Sequence, residues 1–176
     1  MLRYLALLVM PCILVLAAAG CTCKHGQVEY QNEQAGFRFL PPAGWSERAR
    51  AEDGPALAAK EQVLVQYKRL TAGRPAWLRV SSMAVDASVS PTTCLSHRNL
   101  GREWCVDSQP EGFEVNSRPA SRVAYSGEWH KMSYLCEIVA IRCGERVYFF
   151  TASIPADDSA ARDEVRQAIA TATWKA

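Results

Sequence analysis

Residues 132–154 read MSYLCEIVAIRCGERVYFFTASI, two apolar-rich runs on either side of Cys143-Gly144-Glu145-Arg146. If Gly144-Glu145 is a two-residue turn, the runs form an antiparallel hairpin with Leu135, Val139, Ile141, Tyr148, Phe150 and Ile154 on one face. Ile138, Ala140 and Phe149 then make the opposite face partly apolar as well, so this hairpin predicts a sheet covered on both sides.

The chain after the hairpin supplies one cover. Beyond Pro155, residues 157–174 place Ala161, Val165, Ala168, Ile169 and Ala172 at the spacing of a single helical stripe. Asp157, Asp158 and Ser159 can cap the start of that helix. Before the hairpin, 113–121 and 122–129 read as two strands, and 63–70 and 77–85 as two more around the Thr71-Ala72-Gly73-Arg74-Pro75 turn. Ser90-Pro91 followed by residues 92–105 gives an N-cap, a first-turn proline and a second helix, with Gly101 as a point where it breaks. Residues 49–62 are loop-like around Asp53-Gly54-Pro55. Near the start of the domain, GFRFLPPAGWSE (36–47) is a short strand stopped by Pro41-Pro42 and a turn at Gly44. The sum is an α+β fold, an antiparallel β-sheet with helices packed on its faces.

The N-terminus decides the compartment. Arg3 precedes an apolar core from Tyr4 to Leu16, interrupted by Pro11 and followed by Ala17-Ala18-Ala19-Gly20. This is the anatomy of a signal peptide over residues 1–20, and it is short for a membrane span of roughly 20 residues. An uncleaved anchor helix is the alternative, which Pro11 and the small residues weaken. Ala18-Ala19-Gly20-Cys21 resembles the lipobox of bacterial lipoproteins, which implies a lipidated Cys21 as the mature first residue. A lipobox prefers Leu where Ala18 stands, which leaves ordinary cleavage, with Cys21 as a free thiol, as the other reading. Thr22 resembles the residue found in lipoproteins sorted onward to an outer membrane. Residues 21–35 are polar and read as a tether, with a single domain over 36–176.

Without residues 1–20 the chain keeps 19 basic and 18 acidic side chains over about 155 residues, one ordinary domain. That balance argues against a nucleic-acid partner and shows no polybasic patch for acidic lipids. Cys23, Cys94, Cys105, Cys136 and Cys143 remain beside Cys12 in the leader and Cys21. Export predicts cystines among them, with Cys23 in the tether as the odd thiol. On one helix over 91–105, Cys94 and Cys105 would lie about 16 Å apart, beyond disulfide reach of roughly 7 Å. Cys136 and Cys143 point to opposite faces of one strand. Bridges are therefore expected between the 94/105 segment and the 136/143 hairpin, unless a break at Gly101 brings Cys94 and Cys105 together.

Gly36-Phe37-Arg38-Phe39 with Pro42-x-Gly44-Trp45, then the closing hairpin, Pro155 and an amphipathic helix ending near Trp174, resembles the PsbP-like superfamily over Val28 to Trp174. That superfamily is an α/β/α sandwich which also contains the DcrB-type bacterial lipoproteins and a nuclear-import factor that binds the GTPase Ran. The resemblance implies a binding or assembly module and no enzyme. Its photosynthetic members support a metal cluster held by other subunits, and no residue here takes on that role. The cysteines from Cys94 onward are not part of the pattern.

Chemistry in the domain has few carriers. Cys94-Leu95-Ser96-His97 has a spacing that lets thiolate and imidazole reach one metal, to be completed by His130, Cys105 or Cys136. A cystine is the plainer use of an exported cysteine, so the expectation is no metal and no cofactor. Cys105 with His97 or His130 lacks the third, orienting residue of a cysteine hydrolase. Neither Gly-x-Ser-x-Gly, nor a Gly-rich phosphate loop, nor Cys-x-x-Cys is present. Glu52-Asp53 and Asp157-Asp158 fit a loop and a helix cap. Of the tryptophans, Trp45, Trp77 and Trp174 suit the core, while Trp104 and Trp129, beside charged residues, suit a partner-binding surface. The expected function is a non-catalytic, lipid-anchored cell-envelope protein that binds a protein or envelope component. The alternative is an envelope thiol or metal protein using Cys94, His97 and Cys105.

Overall fold

The computed structural model describes residues 27–49, 60–129 and 131–175. In chain order the elements are β1 (Tyr30–Asn32), β2 (Phe37–Phe39), β3 (Ser46–Arg48), β4 (Gln62–Thr71), β5 (Arg74–Ala84), α1 (Pro91–Ser96), β6 (Trp104–Val106), β7 (Glu111–Val115), β8 (Arg118–Trp129), β9 (Met132–Cys143), β10 (Arg146–Pro155), α2 (Ser159–Ala170) and β11 (Thr173–Trp174).

The hairpin forms as its sequence requires. Cys143 pairs with Arg146, leaving Gly144 and Glu145 as the turn, and Gly144 takes φ +59°. From this centre an eight-stranded antiparallel sheet grows in the order β3-β4-β5-β10-β9-β8-β6, with β7 beside β6 on the outer side of β8. Both faces are covered, again as expected. On one face Val139, Ile141, Tyr148, Phe150 and Ile154 meet Ala161, Val165, Ala168 and Ile169 of α2. A small sheet, β1-β2-β11, completes that layer and buries Phe37 and Phe39 against Tyr148 and Phe150. On the other face Ile138, Ala140 and Phe149 pack with Val123, Tyr125 and, from α1 and the loop after it, Leu95 and Leu100. The arrangement is an α+β sandwich with one helix on each face.

Capping chemistry explains where the helices begin. The Ser90 hydroxyl accepts from Thr93 N with Pro91 in the first turn, and Asp158 Oδ1 accepts from Ala161 N. α1 is far shorter than the expected 91–105 helix. Arg98 N closes its last turn on Leu95 O, and the Asn99 side chain then accepts from Gly101 N, a local turn that competes with helix. Residues 104–106 are a strand of the sheet instead.

Two further expectations are corrected. The tether does not extend to residue 35, because Tyr30–Asn32 pairs with Phe37–Phe39 and the Tyr30 hydroxyl donates to Leu64 O. Residues 113–121 are not one strand: Asn116 and Ser117 take φ 48° and 60° and turn β7 back onto β8, which then runs unbroken to Trp129. Asn-Ser is a weak sequence signal for such a turn compared with Asn-Gly. The signal peptide, Cys21, Cys23, the loop residues Glu52 and Asp53, and His130 lie outside the described residues. No helix among the described residues is long and apolar enough to cross a membrane.

Candidate functional site

The structure separates the cysteines that the sequence groups. Cys94, Cys105, Cys136 and Cys143 stand as free thiols, so the expected bridges between the two segments are not made. Register gives the reason for part of this. Cys136 pairs with Tyr125 and faces the α1 layer, whereas Cys105 pairs with Ser126, one residue on, and so faces the other side of the sheet. Cys143 packs against the α2 layer at the far end of β9 from Cys136. Cys94 lies half-buried at the edge of the α1 layer.

Among the described residues the same geometry does not assemble the set that the thiol and metal reading names. His97 is exposed at the end of α1, and Cys105 faces away from the layer that Cys94 lines. Among the described residues no three His, Cys, Asp or Glu side chains come together to hold a metal ion. Burial pushes the Cys136 thiol up to about 12, and desolvation also raises Cys94, so neither is a ready thiolate at neutral pH.

Trp104 and Trp129 are not free surface rings. Trp104 packs against the α1-side core, and a Cβ at Gly127 would come within 2.9 Å of its ring. Trp129 stands edge-on to buried Tyr134 at 5.5 Å. Both are half-buried.

A groove that the sequence reading missed lies between α2 and the β7–β8 hairpin. Its volume is about 370 Å³. Val115, Val139 and Ile169 are its apolar lining, and Phe113 stands at its rim, 39% exposed. Arg166 crosses it to grip buried Glu137, donating from Nη2 at 2.6 Å and from Nε at 3.2 Å. That hydrogen-bonded contact holds Arg166 still more firmly in its charged form. Arg122 pairs with Glu111 at 3.0 Å and lies over the Phe113 ring. The turn end of β7 is latched to α2, because the Asn116 amide donates to Ala170 O and Ala172 O, orphan carbonyls at the helix end.

One signal for this groove was present in the sequence. Glu137 is an acid inside the apolar run 134–141, on the face it shares with Leu135 and Val139. A carboxylate there needs a partner, and Arg166 on the predicted helix is the partner found.

The fold is similar to that of solved structures. Cyanobacterial PsbP (CyanoP) from Synechocystis sp. PCC 6803 superposes with a TM-score of 0.57 at 13% identity, over 91% of this chain and 99% of that one. The fold is PsbP-like. A protein from Bacteroides thetaiotaomicron gives a TM-score of 0.57 at 14% identity over 84% of this chain, which spans only 48% of that protein's length. LpqN, involved in cell envelope biogenesis in Mycobacterium tuberculosis, matches more loosely, at 8% identity with a TM-score of 0.48 over 76% of this chain and 92% of LpqN. No family model and no curated protein sequence matches the chain. At this identity the likeness shows the fold alone.

Proposed function

We propose that this PsbP-like chain is an exported cell-envelope module, anchored through lipid on Cys21, which binds a protein partner and performs no chemistry itself. The observation that carries the reading is the β7–α2 groove: apolar floor, exposed Phe113 and two charged pairs at its walls, on a rigid frame. An apolar centre ringed by polar groups is the composition of a protein-binding surface. The lipobox-like 18–21 segment supports the anchoring, since several acyl chains hold a domain at a membrane without a span.

Two measurements on the full chain test this. Intact mass of the protein recovered from bacterial membranes is expected to begin at Cys21 with acyl chains added; an unmodified Cys21 overturns the anchor. A photo-crosslinking amino acid at Phe113 is expected to give a discrete protein adduct in those membranes, while one at exposed Leu70 on β4 gives none. Equal labelling from both positions overturns the groove as the binding site.

A further inference from the structure

We infer that the groove's partner is received as an added β-strand along the free edge of β7, and that the segment which adds is basic. This deepens the reading above and rests on it. Strand β7 pairs with β8 alone, so its other side is open. Val115 and Arg118 close the two-residue turn and exchange hydrogen bonds, so the pairs Glu114 with Pro119 and Gly112 with Ser121 fall at non-bonded positions. Pro119, which has no N–H to give, agrees with that phase. The N–H and C=O of Gly112 and of Glu114 therefore point outward.

The sheet face at Gly112 is open. Gly112 has no atom within 4 Å of where a Cβ would stand. Unlike many edge strands, β7 carries no proline and no lysine on this side. Exposed apolar residues flank the edge, Phe113 on β7 and, on β6 in line with it, Val106 at 57% exposure. Addition of a strand here would set alternate side chains beside Phe113 at the mouth of the groove.

Charge selects the partner. From residue 102 to 114 the edge carries Glu103, Asp107, Glu111 and Glu114 against Arg102 alone. Arg122 neutralises Glu111, and Asp107 accepts from Ser126, but Glu103, Asp107 and Glu114 form no ion pair among the described residues. Such an edge repels anionic lipid and nucleic acid and favours a basic extended segment with apolar residues between its charges.

The probe is a fluorescent, end-capped octapeptide of alternating Lys and Val, with the Glu-Val octapeptide as control, followed by anisotropy. The Lys-Val peptide is expected to bind, more weakly as salt rises, and the control about tenfold or more weaker. Gly112→Pro removes an outward N–H at an edge position, where the sheet loses no ladder hydrogen bond, so it is expected to weaken the Lys-Val peptide about tenfold or more while the urea midpoint changes little. Should that variant fold poorly, Glu103→Lys with Glu114→Lys tests the same edge and is expected to exchange the two peptides' order. Equal binding of both peptides, wild-type binding by Gly112→Pro, or a dimer that Gly112→Pro dissolves would each overturn the proposal, the last by giving the edge to a second copy. A Phe113 crosslink that survives in Gly112→Pro sinks strand addition but leaves the groove reading standing.

Discussion

The Glu61 carboxylate and the Arg98 guanidinium lie 2.9 Å apart with side chains 0% and 3% exposed. Glu61 also accepts from the Ser81 hydroxyl, and Arg98 lies over the Phe149 ring at 4.6 Å. This pair joins the start of β4 to the loop after α1, so it ties that loop to the sheet. Glu61→Ala leaves a buried cation, and Arg98→Ala a buried anion; each is expected to destabilise by about 3–5 kcal/mol in urea unfolding. The Glu61→Gln, Arg98→Met double variant should recover only part of that loss, because buried Arg79 is also held in its charged form by Glu61.

Gly127 is required by close approach. A Cβ there would come within 2.6 Å of Glu103 O and 2.8 Å of the Trp104 ring, backbone and ring atoms that cannot both yield. Gly127→Ala is expected to cost about 1–3 kcal/mol and to push β6 outward. Red-shifted tryptophan emission, lost when Trp104 is replaced by Phe, would report the movement; an unchanged spectrum and stability would contradict the packing.

The four described cysteines should label in the order of their exposure. With iodoacetamide at neutral pH, exposed Cys105 is expected to react first, half-buried Cys143 and Cys94 later, and Cys136 only on unfolding, because burial raises its thiol to about 12. Mass spectrometry of the unreduced, denatured protein should find all four alkylated. A peptide map recovering a bridge among them would restore the disulfide expectation.

Asp158 makes stability depend on pH. Burial alone would raise its carboxyl, but the hydrogen bonds from Arg69 and from Ala161 N outweigh that and hold it below its usual value. The unfolded chain therefore binds the proton at higher pH than the folded one, and stability falls as pH drops from about 4 through the lowered folded value. Asp158→Asn keeps a cap but loses the 2.6 Å pair with Arg69. It is expected to lower the melting temperature at pH 7 and to flatten the acid limb of the profile; an acid limb as steep as wild type would assign the effect elsewhere.

The strongest sequence readings came where one local pattern fixed both the element and its face. The 132–154 hairpin and α2 were legible because alternation and helical spacing each placed a full set of apolar residues on one side. The 91–105 helix was overextended because Leu100 and Trp104 continue an apolar pattern, although they reach the same core from a loop and a strand. The candidate site was less legible. Trp104 and Trp129 read as surface residues beside their charged neighbours, and each is half-buried, with Trp104 against the α1-side core and Trp129 edge-on to Tyr134. Phe113 read as an ordinary strand residue, and only the sheet order places it on a terminal strand, 39% exposed.

By itself the sequence determined a two-faced antiparallel sheet, the capped starts of both helices and the closing hairpin, all set by contacts within a few residues or by strict periodicity. Only the tertiary structure decided which cysteines share a face, that Glu137 meets Arg166, and that β7 ends the sheet. Those facts depend on which strands lie side by side and in what register, and pairing between distant segments is fixed by burial of the whole core, which no local pattern encodes.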